Sequence, residues 1–149
     1  MTLHTASLIL HIVLGLSAIA FSYLVLMHLL HRNLELTFLK RISLAAFLLY
    51  LASWLTAGYY YVDFYGKSVK PLVVKSYPWA HSVFMESKEH IFLFLPALSL
   101  VAYLIILFAG ERLSADATLK RRVVWIAALT FLIGVYVTLS GVLVSGAAR

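Results

Sequence analysis

"LILHIVLGLSAIAFSYLVL", Leu8 to Leu26, decides the fold of this chain. Its nineteen residues include no aspartate, glutamate, lysine or arginine, and a single histidine, His11. About 20 residues at 1.5 Å each cross the ~30 Å hydrocarbon core of a bilayer. The run lacks the period-two alternation of a half-buried strand. In lipid, only helices and closed barrels satisfy every backbone N–H and C=O. The stretch therefore predicts a membrane-spanning helix.

The apolar block around it runs roughly from Leu3 to Leu30, and three similar blocks follow, at about Ile42–Tyr61, Ile91–Ala109 and Val123–Val144. None carries a charge in its middle. The 149 residues are 63% hydrophobic and 12% charged, whereas a soluble domain is about half apolar and about a quarter charged. The expectation is an all-α fold: an integral membrane antiparallel four-helix bundle forming one domain over residues 1–149, with helices at about 3–31, 42–62, 79–110 and 122–146. The first block has no basic leader and is too long for the apolar part of a signal peptide, so it is expected to be retained.

The net charge of +6 is distributed as flanks of apolar blocks, not as a stripe. It reads as membrane topology and predicts no nucleic-acid partner. Two short connectors are densely basic, one with Arg32, Lys40 and Arg41 and the other with Arg112, Lys120, Arg121 and Arg122. The remaining connector, from Val62 to about Glu89, spreads Lys67, Lys70, Lys75 and Lys88 over a greater length. Cytoplasmic loops carry the excess of lysine and arginine. The short connectors are thus expected inside, with both termini and the long connector extracytoplasmic, in the inner or plasma membrane of a cell. Pro78 suits the first turn of the third helix, and Pro96 should bend it. Gly134, Thr138, Gly141 and Ser145 mark a small-residue face on the fourth helix, and Ser43, Ala46, Ser53 and Ala57 mark another on the second.

Absent motifs exclude several function classes. The chain has no cysteine, which rules out disulfides, thiol redox chemistry and cysteine-ligated metals. It contains no nucleophile elbow, Walker loop, HExxH or dinucleotide fingerprint. The charge-free helix middles argue against a proton-pumping relay or an ion channel within this chain.

Candidate functional residues gather at the outer end. "SYPWAHSVFMESKEHIFLFLP", Ser76 to Pro96, holds His81, Glu86, Glu89 and His90. The outer half of the first helix adds His4 and His11, seven residues apart and nearly on one face. His11 is the most informative, because an ionisable group inside a span faces the bundle interior and has a partner. Its face continues through Gly15, Ala18 and Ser22, leaving room for a flat group such as a porphyrin. The simpler expectation is a hydrogen bond to a serine, threonine or carbonyl of the next helix. Two imidazoles from different helices, His11 and His90, with His4 or His81 as substitutes, have the makings of a bis-histidine haem b site. This plan resembles small b-type membrane cytochromes, a likeness carried only by the architecture and the placement of His11 and His90.

Glu86 and His90 share a helix face at i and i+4. With Glu89, and with His4 or His11, they could instead hold a non-haem transition metal. Against that, "ESKEH" reads as a solvated helix start, with Lys88 snorkelling to the headgroups. Asp63, in the aromatic stretch "GYYYVDFY", could orient a ligand histidine as its hydrogen-bond acceptor. His28 and His31 sit at the inner end and read as interfacial residues.

Three functions follow as expectations. One is a redox subunit with haem b near the outer surface, passing electrons between a quinone and an extracytoplasmic carrier. The second is a metal-binding membrane protein using His11, His90, Glu86 and Glu89. The third is a cofactor-free accessory subunit packing against other membrane subunits in the bilayer. Whether the chain is an enzyme is left open by its residues.

Overall fold

The computed structural model describes residues 2–148. Among them the chain forms four long helices and no strand. These are α1 (Leu3–Leu30), α2 (Leu36–Ser76), α3 (Ala80–Ser114) and α4 (Ala117–Ala147), and each is long and apolar enough to cross a membrane. That is the make-up of a multi-pass membrane protein. The exposed surface agrees, since Leu16, Leu55, Phe108, Trp125 and Leu132 are all largely uncovered. In water such a surface would be a liability, whereas in a bilayer it is the lipid contact.

Local chemistry sets the helix ends. Thr2 caps α1 by accepting the Thr5 N–H at 3.3 Å. Asp116 caps α4 more strongly, accepting from Thr118 N at 3.0 Å and Leu119 N at 2.9 Å. The turn after α1 is held by its two histidines. His31 donates from Nδ1 to the Met27 carbonyl at 2.7 Å, and His28 Nε2 accepts the Glu35 N–H at 3.0 Å. Lys120 Nζ donates to the His31 carbonyl at 2.8 Å, tying the two basic connectors together.

α2 differs from the sequence expectation. It begins near Leu36 rather than 42 and continues to Ser76, so much of the expected outer loop is helical. Hydropathy marks where an apolar run ends, not where hydrogen bonding ends. Beyond Tyr60 the helix widens into a π-helical segment, Tyr61–Val69, before a last α-helical stretch, Lys70–Ser76, with Pro71 in its opening turn. α3 also opens π-helically over Ala80–Met85, after Pro78 and Trp79 in the first helical turn. Its ladder breaks at Leu93, between segments Glu86–Phe92 and Phe94–Ala109. Pro96 has no N–H to offer the Phe92 carbonyl, which accounts for a break one turn before it.

Each helix packs mainly against two others, in the order α1–α2–α3–α4 and back to α1. Two buried clusters hold the helices together. Val25 and Leu29 of α1 meet Leu39 and Ile42 of α2, Ile106 and Leu113 of α3, and Val123 and Ala127 of α4. Higher up, Ala18, Tyr50, Phe92, Leu95 and Val137 form the second. The small residues permit close approach, as expected for helices in lipid. A methyl group at Gly134 would stand 2.7 Å from the Tyr50 hydroxyl and 3.0 Å from Ile19 Cγ1. The buried stripe on α4 runs through Thr130, Gly134, Val137, Ser140 and Val144, so Thr138 and Ser145 lie beside it rather than on it.

Candidate functional site

The α1–α2 interface contains the polar groups of the first helix. Ser7 Oγ donates to the Thr56 carbonyl at 3.0 Å. His11 Nδ1 lies 3.0 Å from the Ser53 carbonyl and 2.9 Å from Ser53 Oγ. The Ser53 hydroxyl can in turn donate to the His11 carbonyl at 3.3 Å. Further in, Ser22 Oγ donates to the Tyr50 hydroxyl at 3.2 Å. A carbonyl oxygen only accepts, so Nδ1 of the neutral His11 ring carries the proton. Nε2 is then left with its lone pair. The strip through Gly15, Ala18 and Ser22 is filled by α2, with Ser53 Oγ 3.3 Å from where a Gly15 methyl would stand. The space expected there for a flat group is taken by a helix. The histidine–serine bond is the simpler of the two sequence expectations for His11.

Above the Tyr50–Phe92 cluster the helices part around a crevice of about 300 Å³. Its wall is largely apolar. Trp54, Tyr61 and Tyr65 line it from α2, Met85 and Phe92 from α3, and Val144 from α4. The π-helical geometry helps to build this wall. Its i→i+5 bonding gives more than four residues per turn, which aligns Tyr61, Tyr65 and Val69 in one stripe. Exposed Trp54, Gly58 and Ser145 form parts of the rim.

Besides the tyrosine hydroxyls, an imidazole, an amine and a carboxyl group line this space, from His11, Lys88 and Glu89. The His11 ring stands edge-on to Phe92, with centroids 6.0 Å apart. The Lys88 amine lies over α4, 3.2 Å from where a Gly141 methyl would be. Among the described residues it has no hydrogen-bond partner and no carboxylate within 4.0 Å. Glu89 Oε1 is closed off from water and, among the described residues, has no hydrogen-bond partner, although the Tyr61 hydroxyl faces the same carboxyl group. Unpaired polar groups in such surroundings are costly, which makes the crevice the candidate site.

The remaining predicted residues stand elsewhere. His90 is exposed and donates from Nδ1 to the Glu86 carbonyl of its own helix at 2.7 Å. It does not line the crevice that His11 enters. Glu86 is exposed on the same side. His81 is buried, with Nδ1 3.2 Å from the Tyr65 hydroxyl, one shell behind the crevice wall. His4 stacks on Phe64 at 4.8 Å, and its Nδ1 lies 3.8 Å from Asp63 Oδ2. Asp63 also accepts from Lys67 at 3.1 Å, so its contacts are with His4 and Lys67 and not with His11 or His90. Among the described residues, no three histidine, aspartate or glutamate side chains stand close enough to share a metal ion.

Helix register explains this sorting. The buried residues of α3 include His81, Phe92, Leu95, Ser99, Ala102 and Ile106, spaced three or four apart from Phe92 onward. Extending that stripe backward reaches Glu89, Lys88 and Met85, whereas His90 and Glu86 fall off it. Lys88, expected at the headgroups, therefore turns inward. This signal is present in the sequence but is masked by the local likeness of "ESKEH" to a solvated helix start. The chain matches no protein-family model, no curated protein and no solved structure.

Proposed function

We propose that this chain is an antiparallel four-helix membrane protein, with both termini extracytoplasmic, that binds the ring of a lipid-soluble quinone in its outer-end crevice and serves membrane electron transfer. The antiparallel arrangement is supported by the inner cluster, which joins the C-terminal ends of α1 and α3 to the N-terminal ends of α2 and α4. The orientation is supported by the basic connectors at that end, Arg32 to Arg41 and Arg112 to Arg122. The observation that carries the functional reading is the convergence of His11, Lys88 and Glu89 in a crevice of about 300 Å³ whose other walls are aromatic and aliphatic. A planar ring with oxygen atoms on its edge and an isoprenoid tail fits such a site: polar groups orient the ring, and apolar walls and lipid take the rest. Lys67, Lys70 and Lys75 stand on the outer part of α2, where an acidic extracytoplasmic electron carrier could dock.

The test uses Trp54, which lines the crevice. The chain has three tryptophans, and Trp79→Phe with Trp125→Phe leaves Trp54 as the sole emitter. Titration of the detergent-solubilised protein with decylubiquinone should quench this emission saturably, and His11→Ala should weaken the binding. Linear quenching, equal to that of free tryptophan in the same micelles, would overturn the proposal.

A second reading is favoured by the free Nε2 of His11. This atom could ligate the iron of a b-type haem, which would supply one-electron chemistry at the outer end of the bundle. A Soret band in the purified protein that is lost with His11→Ala and kept with His90→Ala carries that reading.

A further inference from the structure

We infer that the crevice distinguishes the two redox states of a quinone and holds the reduced quinol more tightly than the oxidised form. The inference rests on the quinone-binding reading above and concerns which form the site prefers.

The hydrogen-bonding capacity of the crevice is weighted toward acceptors. His11 Nδ1 is committed to Ser53, which leaves Nε2 as an acceptor. The Glu89 carboxylate supplies further acceptors, one of them the enclosed and unpartnered Oε1. Among the described residues, the one cationic donor in the crevice without a partner is the amine of Lys88. Tyr61 can donate or accept and so favours neither form. Tyr65 is engaged with His81 at 3.2 Å.

A quinone ring carries carbonyl oxygens, which only accept. Laid against Glu89 and His11, it would face acceptor with acceptor and leave both groups unsatisfied, with only Lys88 and the Tyr61 hydroxyl able to donate to it. A quinol carries hydroxyls. It can donate to Glu89 and to His11 Nε2, and its oxygens can still accept from Lys88. A hydrogen bond to a charged acceptor is about twice as strong as a neutral one. The site is therefore complementary to the quinol and partly mismatched to the quinone, the kind of mismatch that discriminates ligands strongly.

Linkage gives this preference a redox consequence. A ligand that binds more tightly when reduced is harder to oxidise while bound. For a two-electron couple, a tenfold preference corresponds to about 30 mV.

The experiment measures both forms under anaerobic conditions on the protein with Trp54 as its sole tryptophan. Decylubiquinone is titrated by Trp54 quenching, and decylubiquinol by its displacement of bound quinone. The expected result is a preference for quinol of about tenfold. Glu89→Gln keeps the side-chain shape but turns one acceptor into a donor, and should bring the two affinities to within about twofold. Should that variant not fold, Lys88→Met provides the check: losing the donor should weaken quinone more than quinol and widen the preference. Equal or tighter binding of quinone by the parent protein, or a preference unchanged by these substitutions, would refute the inference while leaving the quinone site standing. Failure of both forms to bind would instead remove the reading beneath it.

Discussion

Gly134→Ala offers the sharpest test of how the helices are packed. The new methyl carbon would lie 2.7 Å from the Tyr50 hydroxyl oxygen and 3.0 Å from Ile19 Cγ1, both inside normal contact. Tyr50 cannot simply yield, because it is 1% exposed and its hydroxyl accepts from Ser22 at 3.2 Å. Either α4 retreats from α1 and α2, or Tyr50 leaves its site and the Ser22 bond is lost. Overpacking of this kind costs about 1–3 kcal/mol. An interhelical hydrogen bond in a membrane protein adds about 0.6 kcal/mol. Replacing glycine by alanine returns up to about 1 kcal/mol of helix propensity. The expected net destabilisation is about 1–2 kcal/mol. Tyr50→Phe removes the oxygen at 2.7 Å and should cost only about 0.6 kcal/mol by itself. The double variant should therefore be far more stable than the sum of the single changes, with a coupling of about 1 kcal/mol. Gly146→Ala is the control, since a methyl there meets nothing within 4 Å. Reversible unfolding in mixed micelles, followed by circular dichroism, measures all four variants. Additive losses, or a Gly134→Ala protein as stable as Gly146→Ala, would refute the packing argument.

Other outcomes follow from single contacts. Gly141→Ala presses on the flexible tip of Lys88 rather than on backbone, so stability should change by less than about 0.5 kcal/mol while decylubiquinone affinity falls several-fold in the Trp54 titration. Asp116→Ala removes the acceptor of two N–H groups at the start of α4 and should cost about 1 kcal/mol in the same unfolding assay. The chain has no cysteine, so single cysteines report topology directly: in intact cells Ser68→Cys should react with a membrane-impermeant maleimide and Ser114→Cys should not. The reverse pattern would invert the proposed orientation.

The periodicity of α3 shows why the candidate site was only half legible. His11 could be singled out because a lone ionisable group in "LILHIVLGL" must find a partner, and it does so at Ser53. His90 and Glu86 drew attention by residue type, yet they lie on the exposed side of α3. Lys88 and Glu89 resembled solvated helix-start residues and instead line the crevice. One residue along a helix turns a side chain by about 100°, so neighbours in "ESKEH" have opposite fates. Which fate each meets depends on the stripe set by Phe92, Leu95 and Ser99, some turns away.

What the sequence by itself determined is the all-helical, membrane-compatible character of the chain. Backbone groups in lipid must be satisfied within a segment, and four long runs of apolar side chains leave a helix as the way to do it. That constraint is local, so it can be read from composition. Tertiary structure alone decided which polar groups share a space: His11 with Ser53, His81 with Tyr65, and Lys88, Glu89 and His11 around one aromatic crevice. Those pairings depend on the relative rotation and height of helices far apart in sequence, and on π-helical turns that reset the register of α2 and α3. A shift of one residue in any of them would gather a different set of side chains.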